Sequence, residues 1–284
     1  MTTAHLEIKQ QHIAFIGGGN MASAIIGGLL KRGLPASQIQ VVEPFAEQRA
    51  KLAQQFQVAV SASPEATLNR AGLVVWAVKP QTFREAAAQS RDHTRAALHL
   101  SVAAGIRSDS IASWLGTERV VRAMPNTPAL IGKGITALFA RPAASAADRL
   151  AAEQVIQTTG DFLWLAQEEQ LDAVTALSGS GPAYVFYFIE AMIQAGIDMG
   201  LSREQSHQLA VATFVGASAL AQDATEPPEV LRARVTSKGG TTYAALTAME
   251  QDGMQQRFMR AIEAARQRAR ELGNEFGASS ANSA

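Results

Sequence analysis

The chain has 284 residues, 25 Lys and Arg against 25 Asp and Glu, 47% hydrophobic residues and no cysteine. This length suits one large domain or two ordinary ones. Zero formal net charge argues against nucleic acid or an anionic membrane surface as a partner, because both attract proteins with a basic surplus. Without cysteine, disulfide frameworks, thiolate nucleophiles and cysteine zinc sites are excluded, and the five scattered histidines predict no metal site.

Two segments bear on location. Glu7 and Lys9 precede the first apolar stretch, which runs into glycines without a small-residue cleavage site, so we predict no signal peptide. The most apolar run, residues 184–189, is soon followed by Glu190 and Asp198 and is too short and polar to span a bilayer. A soluble cytoplasmic protein is expected.

Up to about Leu165 the chain alternates β-rich runs with Ala-rich helical stretches, a pattern typical of a parallel sheet with crossover helices. Helices are predicted over 23–32, with Gly33 as the C-cap, and after an N-cap at Ser63 followed by Pro64. The predicted strands are 13–17, 39–43, 73–78, 97–102, 119–124, 134–140 and 162–166.

After the last predicted strand almost everything is helical. A helix is predicted from Pro182, a capping box at 202–205 begins the next, and further helices follow to about Leu272. We therefore predict an α/β domain of the nucleotide-binding type at residues 1–166 and an all-α domain at 167–284.

The first predicted turn carries a glycine motif. Residues 17–22 match G-x-G-x-x-A between a strand and a helix. Gly17 permits the tight turn, Gly19 lets the backbone approach a pyrophosphate, and Ala22 lets the helix pack closely on the strand. The helix N-terminus adds amide donors and a positive dipole for phosphate. A structural Gly-rich turn has the same letters, but the flanking elements favour a dinucleotide site.

Two further strand ends belong to this prediction. Glu43 ends the second strand, where an NAD-binding fold hydrogen-bonds the adenosine ribose and a carboxylate would repel a 2′-phosphate, so it favours NADH. The alternative is a solvated glutamate in a turn before Pro44. Residues 77–80 end the third predicted strand and should face the cofactor, although Lys79 is equally explained as an ordinary surface lysine.

In the α domain, residues 235–242 place two glycines and four hydroxyl residues just before a helix. Their free backbone N–H groups make an anion site suited to a carboxylate. We expect the amides of Gly239, Gly240 and Thr241, with the Ser237 hydroxyl, to bind a substrate carboxylate. The alternative is a Gly-rich N-cap without a ligand.

Six stretches together resemble the pyrroline-5-carboxylate reductase family, in the family's order and spacing. They are IGGGNMA (16–22), AVKP (77–80), SVAAG (101–105), RAMPNTPA (122–129), VTALSGSGPAYVF (174–186) and VTSKGGTTYAAL (235–246). One departure is Lys238, where the family loop usually has Pro.

The resemblance implies reduction of 1-pyrroline-5-carboxylate to L-proline, the last step of proline biosynthesis, by hydride transfer from NADPH or NADH. It implies a Rossmann-like domain followed by an all-α dimerisation domain, assembled as a homodimer or a larger ring of dimers. Thr242 would be the catalytic residue, its hydroxyl bonding the ring nitrogen. The implied cofactor contacts are Ile16, Gly17, Gly18, Gly19, Asn20, Met21, Glu43, Ala77, Val78, Lys79, Pro80, Val102 and Ala104.

Two rival functions are less well supported. A hydroxyacid dehydrogenase of similar design needs a base, normally a lysine on the first long helix of the α domain, but no Lys, Arg or His lies between Pro182 and Gly200. A non-catalytic dinucleotide sensor would keep the motif at 17–22 but would have no reason to keep the loop at 239–242.

Overall fold

The computed structural model describes residues 11–278, so Glu7 and Lys9 lie outside the described residues. By its internal contacts the chain divides into two compact units. Among the described residues, the first unit comprises residues 11–180 together with residues 265–278, and the second unit is Gly181–Ala264.

This division differs from the boundary predicted at residue 166. The strand pattern does end there, but the residues that follow remain tied to the first unit, because the Glu168 carboxylate pairs with Arg122 of the sheet. The end of the last helix also belongs to this unit, where Arg107 donates to Oδ1 of Asn274 at 3.1 Å. Hydrogen bonds of this kind leave no trace in a hydrophobic pattern, so a division by contacts need not fall where the strands end and the helices begin.

A single mixed sheet organises the described part of the first unit. Its strands are β1 (Ile13–Ile16), β2 (Ile39–Val42), β3 (Ala59–Ser61), β4 (Leu73–Trp76), β5 (Leu98–Ser101), β6 (Val120–Met124), β7 (Gly134–Ala140) and β8 (Gly160–Trp164). The order is β3-β2-β1-β4-β5-β6-β7-β8, and every neighbouring pair is parallel except β6 and β7. The short connection 125–133 explains that exception, since a parallel crossover needs a dozen or more residues.

Helices cover both faces of this sheet. They are α1 (Asn20–Lys31), α2 (Ala46–Phe56), α3 (Pro80–Thr94), α4 (Ser108–Leu115), α5 (Ala146–Ile156) and α6 (Gln170–Val174). One buried cluster includes Phe15 and Ile26, and a second on the opposite face includes Ile16 and Trp76. Successive side chains of β1 point to opposite faces of the sheet and therefore contribute to both clusters, as expected for a sheet buried on two sides.

Two details differ from the sequence prediction. β3 was not predicted, because it is a three-residue edge strand without a fully buried position and so lacks an apolar run. The helix predicted from Ser63 is wrong: the Ser63 carbonyl accepts a hydrogen bond from Ser61 Oγ in a bend, and only a 3₁₀ turn follows at Ala66–Arg70. The Gly33 prediction is consistent with the fold, since this residue follows α1 with φ +89°.

The second unit is helical, as predicted. It contains α7 (Gly181–Asp198), α8 (Arg203–Asp223), α9 (Pro228–Arg234), α10 (Thr241–Gln251) and the first part of α11 (Met254–Ala278). The predicted capping box is present: Ser202 Oγ accepts from the Gln205 amide at 3.1 Å, and the Gln205 side chain accepts from the Ser202 amide at 2.9 Å. No helix among residues 11–278 combines the length and the hydropathy that crossing a membrane requires.

A buried histidine supports the strand end that leads into the 77–80 loop. Trp76 Nε1 donates to His99 Nδ1 at 2.9 Å, and His99 Nε2 lies 3.1 Å from the Thr94 carbonyl oxygen. Because the indole can only donate and the carbonyl can only accept, the ring must be neutral with its proton on Nε2. Burial lowers the pKa of His99 from 6.5 to about 4.

This shift predicts a pH-dependent stability. Between pH 6.5 and about 4 the unfolded chain binds a proton at His99 that the folded chain does not. The free energy of unfolding should therefore fall with decreasing pH across this window, by up to ~1.4 kcal/mol per pH unit. His99→Gln, which keeps an acceptor for Trp76 but does not titrate, should flatten the slope in denaturant titrations at several pH values.

The control for this experiment is His12→Gln, which removes an exposed histidine of the same unit. It should keep the wild-type slope. If His99→Gln and wild type lose stability in parallel between pH 6.5 and 4, the acid sensitivity comes from other groups.

Candidate functional site

The predicted cofactor segments meet at the carboxyl edge of the sheet. The Gly17 amide donates to the Val42 carbonyl at 2.8 Å, the Ala77 amide to Ile16 at 2.8 Å, and the Val102 amide to the Trp76 carbonyl at 3.0 Å. These bonds continue the strand pairing into the loops after β1, β4 and β5. Between β1 and β4 the strand order reverses direction, and open α/β sheets bind ligands at such a switch point.

The three glycines of the first loop differ in what surrounds them. Gly17 has φ +93°, and a Cβ there would lie 2.6 Å from the Ala77 carbonyl oxygen. A Cβ on Gly18 would lie 2.4 Å from Leu52 Cδ1. Among residues 11–278 nothing lies within 4 Å of a Cβ on Gly19. The fold therefore requires glycine at position 17, a Cβ on Gly18 would require the Leu52 side chain to shift, and Gly19 opens onto space.

The N-terminus of α1 fits a phosphate group. Gly19 is the N-cap residue, and no side chain caps the helix. The first intrahelical bond is that of the Ser23 amide to the Gly19 carbonyl. The amides of the first turn, beginning at Asn20 and Met21, thus point toward the open side of Gly19 without helical partners, as an anion at a helix N-terminus requires.

Glu43 lies at the same edge, but its carboxylate is engaged within the protein. Oε2 accepts from the Gly18 amide at 2.9 Å, and Oε1 accepts from the Phe45 amide at 3.0 Å. The residue is 6% exposed. Gln48 adds a second tie, because its Nε2 donates to the Gly18 carbonyl. Glu43 therefore holds the glycine loop to the end of β2 and is not the solvated turn residue considered as the alternative.

The remaining predicted cofactor residues border this edge. Lys79 is exposed and is the N-cap residue of α3, with its carbonyl accepting from the Thr82 amide at 3.0 Å and the Thr82 hydroxyl at 3.1 Å. Val78 is partly buried, as are Val102 and Ala104 in the loop after β5.

An ion pair that the sequence did not indicate supports that loop. Arg122 on β6 is 8% exposed and bonds Glu168. The same carboxylate accepts from the Ser108 amide at 2.6 Å, at the start of α4. The loop from Val102 to Arg107 is thereby fixed at both ends. The RAMPNTPA segment has a structural task as well, since Asn126 Oδ1 accepts from the Ile135 amide at 3.0 Å.

The predicted anion loop lies in the second unit. Gly240 is the N-cap of α10 without a side-chain cap, Gly239 has φ +78°, and Ser237, Thr241 and Thr242 are exposed. The Gly240 amide donates to the Ser237 carbonyl at 3.0 Å, so it is already used within the loop. Helical bonding begins with the Ala244 amide.

Two family models match parts of this chain. Residues 168–272 match the family described as pyrroline-5-carboxylate reductase dimerisation, and residues 12–105 match the family described as NADP oxidoreductase coenzyme F420-dependent.

Individual relatives cover almost the whole chain. A pyrroline-5-carboxylate reductase of Pseudomonas aeruginosa is 45% identical over 93% of this chain and 98% of its own. The solved structure of a pyrroline-5-carboxylate reductase from Coxiella burnetii has a TM-score of 0.86 at 34% identity, covering 92% of this chain and 98% of that one. That of Plasmodium falciparum pyrroline carboxylate reductase with NADP bound has a TM-score of 0.84 at 26% identity, covering 94% and 99%.

Extended identity to named reductases and a matching fold over both units lead to one assignment. The chain belongs to the pyrroline-5-carboxylate reductase family.

Proposed function

We propose that this protein reduces 1-pyrroline-5-carboxylate to L-proline with NAD(P)H, the last step of proline biosynthesis. The observation that carries the proposal is the presence in one chain of two glycine-rich loops that each end at a helix N-terminus without a side-chain cap, at Gly19 and Gly240. One suits the pyrophosphate of a dinucleotide and the other suits a substrate carboxylate. A direct test is the loss of absorbance of the reduced nicotinamide when pyrroline-5-carboxylate is added.

The cofactor side is assigned to the first unit. Ile16 and the loop Gly17–Met21 would hold the pyrophosphate through backbone amides, with Glu43 fixing the loop from behind. Residues 77–80, together with Val102 and Ala104, would border the rest of the dinucleotide. When bound, NAD(P)H supplies the hydride for the carbon of the C=N bond.

The substrate side is assigned to the second unit. The free amides of Gly239 and Thr241, with the Ser237 hydroxyl, would bind the carboxylate. The Thr242 hydroxyl would hydrogen-bond the ring nitrogen. No strong general acid is needed, since a cyclic imine takes its proton from water and the resulting iminium accepts hydride more readily. Catalysis would rest on orientation of the bound substrate rather than on a strong acid.

The surface of α7 supports self-association. This apolar helix has one buried residue, Gly196, while Phe186 is 59% and Tyr187 is 68% exposed. Contiguous apolar surface of this kind marks an interface. We therefore propose a homodimer or a ring of dimers. A cytoplasmic location and the absence of a nucleic-acid partner remain predictions.

Gly19→Ala tests the cofactor loop. The new methyl group meets nothing within 4 Å in the protein, so the fold should lose less than ~1 kcal/mol of stability, from the poorer N-cap. The methyl group would stand where the pyrophosphate approaches, so the Kd for NADPH should rise at least about tenfold. Calorimetric titration and thermal melting measure the two effects.

Gly17→Ala is the matched comparison, because it places the same methyl group 2.6 Å from the Ala77 carbonyl oxygen at a positive φ. It should destabilise the fold itself. Unchanged cofactor affinity in Gly19→Ala would remove the pyrophosphate from this loop.

Thr242→Ala tests the catalytic assignment. Losing one oriented hydroxyl should cost about 1 to 3 kcal/mol of transition-state stabilisation, or roughly 5- to 150-fold in kcat/KM, with little change in Tm. Thr236→Ala is the control, since the Thr236 hydroxyl is already bonded to the Arg232 carbonyl. That variant should lose some stability and keep kcat/KM. A lower Tm with intact kcat/KM in Thr242→Ala would instead make Thr242 part of the scaffold.

Phe186→Glu tests the interface. A charge in the middle of a buried apolar contact should dissociate the assembly, whereas the isolated chain already exposes this side chain and should stay folded. Sedimentation at micromolar concentration should show a dimer or a multiple of it for wild type and for Gln55→Glu, an exposed position on α2. A stable and active wild-type monomer would contradict the proposed assembly.

A further inference from the structure

The end of β2 is the place where dinucleotide-binding folds distinguish NADH from NADPH, because the adenosine ribose lies there. In this chain the segment consists of Glu43, Pro44 and Phe45, followed by α2. The sequence alone assigns the discrimination to Glu43 and expects repulsion of a 2′-phosphate. The structure gives a different arrangement of charge.

The Glu43 carboxylate is bonded within the protein. Its two oxygens accept from the Gly18 and Phe45 amides, and the residue is 6% exposed. Two amide dipoles thus compensate the negative charge, and little of the carboxylate surface remains for a ribose hydroxyl. The strongest reason to expect rejection of a 2′-phosphate is therefore weakened.

A cation lies at the same end of β2. Arg49 lies in the second turn of α2, and its Nη1 donates to the carbonyls of Glu43 at 2.8 Å and Pro44 at 2.7 Å. These two bonds hold the guanidinium at the carboxyl end of β2. Within residues 11–278, Nε and Nη2 have no hydrogen-bond acceptor and no carboxylate pairs with this arginine. The group keeps donors for a further ligand.

We propose that Arg49 binds the 2′-phosphate of NADPH and makes NADPH the preferred cofactor of this enzyme. The proposal rests on the function proposed above, since it needs a dinucleotide on the Gly17–Ala22 loop. A guanidinium offers donors in a fixed plane that match phosphate oxygens, and the two carbonyl bonds already orient it. Glu43 is then a positioning residue, which holds Gly18 on one side and supplies a carbonyl for Arg49 on the other.

Binding of adenosine fragments tests this without turnover. Calorimetric titration with 2′,5′-ADP and 5′-ADP compares ligands that differ in the 2′-phosphate. Wild type should bind 2′,5′-ADP at least about tenfold more tightly, and added salt should reduce this ratio. Arg49→Gln should abolish most of the preference and change the Kd for 5′-ADP less than about twofold.

Two further variants complete the experiment. Lys51→Gln removes one positive charge from an exposed position of the same helix and should keep the wild-type ratio. Arg49→Lys keeps the positive charge but loses the planar set of guanidinium donors. Its ratio of affinities for 2′,5′-ADP and 5′-ADP should therefore lie between those of wild type and Arg49→Gln. If Arg49→Gln fails to fold, Arg49→Lys tests the proposal in its place, because a wild-type ratio in Arg49→Lys contradicts the role of the guanidinium.

The outcomes separate the two proposals. Binding of 5′-ADP without preference in wild type, or an unchanged ratio in Arg49→Gln, overturns the assignment of Arg49 and leaves the dinucleotide site intact. Failure of wild type to bind either nucleotide overturns the dinucleotide site itself, and with it the proposed reductase function.

Discussion

The first unit depends on the turn from β1 into α1, which packs directly against the backbone of Ala77. A Cβ at Gly17 would approach the Ala77 carbonyl oxygen to 2.6 Å, and the Gly17 amide is bonded to Val42 on the other side. The turn is therefore fixed between β2 and β4. Because it is fixed, Gly19 and the first amides of α1 face open space in one defined direction, as a preorganised phosphate site requires.

Support for this edge comes from polar side chains that do not face the ligand. Glu43 ties the glycine loop to β2, the Trp76–His99 pair holds the end of β4, and Glu168 joins Arg122 to the start of α4. Burying such groups costs solvation and does not by itself stabilise a fold. Each of them restrains one loop at the carboxyl edge, so their common effect is to limit the conformations of the ligand-facing backbone.

How far the sequence predicts this molecule depends on the range of each interaction. The sequence predicts the bounds of the strand 134–140 and the capping box at Ser202, because apolar runs and caps are local patterns. The glycine loop was located from its neighbours along the chain. In contrast, the inward turn of Glu43 depends on an amide 25 residues away, and the position of Arg49 on carbonyls five and six residues away. Local periodicity contains no information on such contacts.

In the second unit, the hydrophobic pattern of a helix does not match its burial. α7 is among the most apolar segments of the chain, yet Gly196 is its one buried residue in the described fold. Gly196 is small for a specific reason, since a Cβ there would lie 2.5 Å from Ser206 Oγ on α8. The pair α7 and α8 thus packs closely on one side and leaves its large apolar side chains, such as Phe186 and Tyr187, on the other. A hydrophobic pattern alone identifies α7 as a helix to be buried. The close approach at Gly196 shows that its neighbours in the same chain cover the side with small residues, so that large side chains on the other side stay exposed.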